Sequence, residues 1–216
     1  MVFTLILPTT IHVNNCYAVQ RDNPVDRLQD TIVCLEKWLS NTNFRIVLVE
    51  NSNTDLSFLK PLQEGFPGRL ELLSFDGNDY PREYGKGYGE MLSINYAVDN
   101  SKFVSQDDYV LKCTGRYFLS ELSKVFDENF DNNFQAVVYS SEDYPDGSAS
   151  VFFYLKKNIY QEKMATFFVN DSKGNYFEHA LQNTIKSLLA DSVLKIDKMG
   201  IEGISGTANK PVIWMK

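Results

Sequence analysis

Hydrophobic and polar positions along the chain follow two periods. Residues 2–7 (VFTLIL) form a nearly unbroken apolar run ending at Pro8, the pattern of a strand buried on both faces. A polar loop follows. Val25, Leu28, Ile32, Leu35 and Leu39 then recur every three or four residues, with Trp38 alongside, which predicts an amphipathic helix. Residues 44–49 (FRIVLV) predict a second buried strand, 56–62 a short helix and 70–75 a third strand. Helical spacing returns over 90–98 through Met91, Ile94 and Val98, and 109–113 (YVLKC) predict a fourth strand. Strands alternating with helices imply a mainly parallel sheet covered by helices.

The second half has a different rhythm. Residues 119–126 predict a helix, 134–140 and 150–155 strands, 160–168 and 177–189 helices, and 193–196 a last strand. Residues 200–210 carry Gly200, Gly203 and Gly206 and predict a mobile loop. No internal repeat or low-complexity linker interrupts the 216 residues, so one α/β domain with a sheet of about six strands is expected.

Composition narrows the classes. Lys and Arg number 21 against 28 Asp and Glu, a net charge of -7, which argues against gripping nucleic acid or an anionic membrane by bulk charge. No stretch approaches the roughly 18 apolar residues of a membrane span, and 1–8 lack the basic region of a signal peptide, so no membrane insertion is expected. Cys16, Cys34 and Cys113 are few, odd in number and far apart, with no CxxC. They point to a reducing compartment, the cytosol. With His12 and His179 alone, a His-rich metal site is ruled out.

The motifs of several enzyme classes are missing. The turn after the first strand, Pro8-Thr9-Thr10-Ile11-His12, has no glycine for a dinucleotide pyrophosphate, and neither GxxxxGK[ST] nor GxSxG occurs. Ligands of parallel sheets bind beyond the carboxyl ends of the strands. That rule gathers Thr9-Thr10, Glu50-Asn51-Ser52, the segment 76–79 and Thr114-Gly115-Arg116 along one polar rim. The segment YGKGYGE (84–90) opens a helix, and its Lys86 and helix N-terminus suit an anion as well as a solvated loop. Asp107-Asp108 precede the fourth strand and so fall on the opposite edge, as a solvated turn.

Residues 84–119, with GKGYGEMLSINYAV and DDYVLKCTGRYFL, together with the starts LILPTT and FRIVLVENSN, resemble nucleotide-sugar glycosyltransferases of the GT-A type. The likeness spans most of the chain and is nearest to virus-encoded capsid-glycan transferases, those of chlorella viruses in particular. It implies a GT-A-like, Rossmann-like sheet flanked by helices, a UDP-sugar donor and Mn²⁺ or Mg²⁺. It also implies a nucleotide-sugar-binding half (1–118), an acceptor-binding half (119–216), and a cytoplasmic setting, the host's for a viral chain. By this resemblance Thr9 and Thr10 meet the uracil or ribose, Glu50 and Asn51 read the base, and Lys86 and Gly87 lie near ribose or phosphates. The family's DxD follows the fourth strand, where this chain has Thr114-Gly115-Arg116-Tyr117 and no Asp. Arg116 could therefore share the neutralisation of the diphosphate, or serve in a structural salt bridge. A metal needs oxygen ligands, and Asp76 and Asp79 are the nearest acidic pair on the rim.

The acceptor, a glycan or glycoprotein, is expected at the second half. Asp143, Tyr144 and Asp146 lie in a turn-rich loop, with Tyr144 as a stacking platform for a sugar. Glu178, beside His179, begins a helix where inverting members of the fold place a carboxylate base; a retaining enzyme would need no such base, leaving Glu178 or Asp143 to position the acceptor. A carboxylate favoured there only by the helix dipole is the plainer reading. Residues 203–210 could close over the diphosphate, excluding water. Two rivals stay open. A non-catalytic nucleotide- or carbohydrate-binding module of a larger multidomain chain fits the missing DxD. A sugar nucleotidyltransferase would need a Gly- and Arg-rich loop after the first strand, which PTTIHVNN does not supply.

Overall fold

The computed structural model of the protein describes residues 2–14, 19–129 and 134–214; Cys16 lies outside them. The chain runs β1 (Thr4–Thr9), α1 (Pro24–Asn41), β2 (Arg45–Glu50), α2 (Lys60–Gly65), β3 (Leu70–Ser74), α3 (Lys86–Asn100), β4 (Tyr109–Cys113) and β5 (Tyr117–Leu119). It continues with α4 (Leu122–Asn129), β6 (Ala136–Tyr139), β7 (Phe152–Lys156), α5 (Lys157–Ile159), α6 (Phe177–Lys186), β8 (Val193–Ile196), β9 (Ile201–Ile204) and β10 (Pro211–Trp214). Among the described residues seven strands form the central sheet, in the order β3-β2-β1-β4-β7-β6-β8. Only β7 runs against its neighbours, pairing antiparallel with β4 and β6, while the other pairs are parallel.

The strand period of two divides the core into two layers. Leu5 and Leu7 of β1 join Ile46, Leu48 and Leu111 on the face covered by Leu35, Trp38 and Leu39 of α1. Ile6, Val47, Val49 and Val110 point the other way, against Met91, Ile94 and Ala97 of α3 and Leu181 of α6. The start of α1 is fixed by Asn23, whose side-chain oxygen accepts from the N–H groups of Val25 (2.9 Å) and Asp26 (3.4 Å), with Pro24 in the first turn.

The structure departs from the sequence expectation in the second half. The run 119–126 is divided between β5 and α4, because β5 pairs with β9 in a separate three-stranded sheet, β10-β9-β5. Trp38 Nε1–H of α1 donates to the Tyr117 carbonyl at 2.9 Å and pins that sheet to the main body. The segment 200–210, expected as a loop, supplies β9 and the turn into β10. Asp107 sits on the opposite edge as expected, but it pairs with Arg45 at 2.9 Å with little exposure instead of lying in a solvated turn.

Candidate active site

The carboxyl ends of β1 and β4 open into a cavity of 180 Å³. Thr9, Thr10, Thr114 and Arg116 of the polar rim line it, together with Lys86 from the start of α3 and with Arg27, Glu90 and Ser150. Arg27 was not foreseen: a lone arginine in an amphipathic helix reads as solvated, yet this one is 5% exposed. Its Nε–H donates to the Thr10 carbonyl and Nη1 to the Arg21 carbonyl at 2.8 Å, so α1 carries a buried cation to the end of β1. Gly115 makes the turn after β4 possible. A Cβ there would lie 2.2 Å from the Pro8 carbonyl oxygen, to which Gly115 N–H donates at 3.1 Å.

The loop after β9 covers this cavity. Gly206 and Thr207 line it, Lys86 Nζ donates to the Thr207 hydroxyl, and the N–H groups of Gln20 and Arg21 both donate to the Gly206 carbonyl at 3.1 Å.

Three residues expected to touch the nucleotide do not line the cavity. Glu50 is fully buried and turns inward. Its carboxylate accepts from the N–H groups of Ile11 (3.0 Å), Ser52 (3.0 Å) and Thr54 (2.8 Å), so it ties the loops after β1 and β2 together instead of reading a base. Asn51 spends its amide similarly: Oδ1 accepts from the Thr10 hydroxyl at 2.6 Å and Nδ2 donates to the Gly89 carbonyl at 3.3 Å. Gly87 is needed for packing. A Cβ there would meet Phe177 Cβ at 2.9 Å, where α3 crosses α6.

A second, larger cavity of 1040 Å³ adjoins the first, and Lys86 lines both. Asp143, Tyr144, Asp146, Asp171, Tyr176, Glu178 and His179 form much of its wall. Tyr144 and Tyr176 are large exposed aromatics, 40% and 45% accessible, which suits stacking on sugar faces. Glu178 occupies the first turn of α6, and its Oε1 accepts from the Ser150 hydroxyl at 2.6 Å. Asp146 is locked in place: burial works against its charge, but bonds from Gln182 (2.5 Å) and Ser148 (2.7 Å) hold its carboxyl below the ordinary value.

Two further groups had no sequence signal strong enough to find them. Lys112, fully buried in β4, sets its Nζ 2.5 Å from Glu90 and donates to the Ser150 carbonyl. A chain of contacts thus runs Glu90–Lys112–Ser150–Glu178 between the cavities. Asp171 lies behind Gly85, its carboxyl raised above the ordinary value first by burial and then by the charge of Glu178, with Lys86 opposing. Gly85 has φ +78° and ψ 174°, a conformation reserved for glycine. Gly85→Ala is expected to cost about 1–3 kcal/mol, seen in thermal unfolding as a midpoint roughly 2–12 °C lower.

The residues do not fit a divalent cation at the expected place. Asp76 and Asp79 are exposed and line neither cavity. Among the described residues no three His, Cys, Asp or Glu gather into a metal-holding group. The turn after β4 presents a guanidinium where oxygen ligands would be needed. Cys34 and Cys113 offer no alternative ligand, since both are buried, and burial pushes the Cys34 thiol up to about 12.

No protein-family model matches the chain, and no curated protein sequence matches it. Solved structures do. An active-site mutant of LgtC superposes with a TM-score of 0.56 at 10% identity, over 89% of this chain and 72% of that one. The glycosyltransferase GlyE of Streptococcus pneumoniae also gives 0.56, at 11% identity, over 91% and 45%. The mannosyltransferase PcManGT of Pyrobaculum calidifontis, in complex with GDP-Man and Mn²⁺, gives 0.52 at 13% identity, over 96% and 58%. The chain spans about half the length of the latter two. The fold is that of the GT-A glycosyltransferases. No helix among the described residues is long and apolar enough to cross a membrane.

Proposed function

We propose that the protein is a glycosyltransferase that moves a hexose or deoxyhexose from a UDP-sugar to a hydroxyl of a glycan or glycoprotein. The observation that carries this reading is the junction of the two cavities: Lys86 lines both, and Ser150 of the small cavity bonds Glu178 of the large one. One cavity is cationic, as a diphosphate leaving group requires, and the other offers a carboxylate and aromatic walls for an acceptor sugar.

In this reading Glu178 accepts the proton of the acceptor hydroxyl. The acceptor oxygen forms a bond to the anomeric carbon, the bond from that carbon to the β-phosphate oxygen breaks, and its electron pair leaves with UDP. Attack from the face opposite the diphosphate inverts the anomeric configuration. Asp143, on the acceptor wall, positions the acceptor. Thr9, Thr10 and Thr114 line the nucleotide side. Residues 1–216 act as one unit, with the nucleotide side drawn mainly from 1–118 and the acceptor side mainly from 119–216. The sequence likeness to virus-encoded capsid-glycan transferases supports a viral glycoprotein glycan as acceptor. The buried free thiols of Cys34 and Cys113 support a cytoplasmic setting, the host's for a viral chain.

Thermal unfolding with UDP, GDP and CMP tests the donor side. A nucleotide at 100 times its Kd adds about 2.7 kcal/mol, a rise of roughly 5–10 °C for a chain of this size. A rise with UDP alone is expected. A rise with GDP or CMP and none with UDP would overturn the choice of donor, and no rise with any would overturn the reading.

A further inference from the structure

We propose that Arg27, Arg116 and Lys86 hold the donor diphosphate in place of a divalent cation. The proposal rests on the glycosyltransferase reading above and assigns the leaving-group site within it.

The geometry of the small cavity carries it. Its volume of 180 Å³ is below the ~300 Å³ of ordinary ligand pockets, so it suits the phosphates and not a whole nucleotide-sugar. Three cations line it. A Cβ built on Gly206 would lie 2.5 Å from Arg116 Nη2 and 3.7 Å from Arg27 Nη1, so the two guanidinium ends come within about 6 Å of each other. Like charges at that separation repel, and an anion set between them relieves the repulsion. Arg116 Nε is buried without a hydrogen-bond partner, a donor left for a ligand in the cavity. The protein as a whole carries a net charge of -7, so this concentration of positive charge is local.

The same lining disfavours a metal. Among the described residues the one carboxylate lining it is Glu90, whose Oε1 is 2.5 Å from the Lys112 ammonium. A divalent ion would have to sit beside three cations with no second carboxylate to hold it. As the glycosidic bond breaks, the negative charge collecting on the β-phosphate would be met by guanidinium and ammonium hydrogen bonds. The planar fork of Arg116, with its spare Nε–H, gives the bidentate contact that a lysine could not.

The test is calorimetric titration of UDP and UMP into the whole protein, in EDTA and in Mn²⁺, for the wild type, Arg116→Ala and Lys86→Ala. Arg27 is left intact because its buried bonds to Thr10 and Arg21 also serve the fold. UDP affinity is expected to agree within about twofold between EDTA and Mn²⁺. Arg116→Ala should weaken UDP by about 10- to 100-fold in EDTA, and UMP far less. Lys86 is exposed, so Lys86→Ala keeps the fold and should also weaken UDP. UDP binding that strengthens tenfold or more with Mn²⁺, or that ignores both substitutions, would overturn the cation cradle while leaving the glycosyltransferase reading intact. No binding of UDP under either condition would overturn the cradle together with the choice of a UDP-sugar as donor.

Discussion

Glu178→Gln is expected to lower kcat by about 10²- to 10⁴-fold, the range for losing a general base, while UDP affinity stays within about twofold. The amide keeps the shape of the carboxylate and can still accept from the Ser150 hydroxyl, so packing at the start of α6 is preserved. What it loses is the capacity to take the acceptor proton. Steady-state kinetics with saturating donor would show the fall in kcat, and calorimetry with UDP would show the unchanged donor site. If Glu178 were present only because carboxylates favour helix N-termini, the substitution would cost a few tenths to about 1 kcal/mol of stability and leave turnover untouched. The two outcomes are far apart.

Lys112→Met carries the largest expected effect on stability. Lys112 is fully buried, its Nζ is 2.5 Å from Glu90, and it donates to the carbonyl of Ser150 and to the Thr114 hydroxyl at 3.3 Å. Methionine fills the same channel without charge. It leaves Glu90 without its cation and the Ser150 carbonyl without its donor. Removing one partner of a buried pair costs about 3–5 kcal/mol. Glu90 is 22% exposed and regains some hydration, which places the loss near the lower end, about 3 kcal/mol. The unfolding midpoint should then fall by roughly 6–12 °C. Adding Glu90→Gln should recover part of that loss, because the double variant leaves no unpaired charge. A Lys112→Met variant as stable as the wild type would mean that the pair does not hold β4, α3 and the start of β7 together.

Apolar pattern along the chain reveals some of these elements and hides others. β1, β2 and β4 were legible because a strand buried on both faces must be apolar at nearly every position. The short sheet β10-β9-β5 was not. Tyr117–Leu119 merges with the apolar run into α4, and Gly203 in β9 reads as a loop residue. In the sheet it is the only residue that fits, since a Cβ there would lie 2.2 Å from the Arg116 carbonyl oxygen.

The rim rule found Thr9, Thr10, Thr114 and Arg116 because strand ends locate a cavity whatever its chemistry. It could not tell which way a rim side chain turns. Glu50 ends β2 as expected but points at backbone amides. Arg27 and Lys112 were hidden for opposite reasons. Arginine on a helix is ordinary at the surface, and its burial depends on the distant loop containing Gly206. Lysine inside YVLKC is the one charged residue in an otherwise apolar strand, an anomaly whose partner, Glu90, pattern alone does not name.

Sugar transfer itself can be followed in a single experiment. The whole protein is incubated with UDP-sugars and a panel of glycan acceptors, and both UDP and glycosylated product are followed by mass spectrometry. UDP release that rises with acceptor is expected, matched mole for mole by a product heavier by one sugar residue. UDP bound but never released from a UDP-sugar, with no product from any acceptor, would contradict it and leave a nucleotide-binding module.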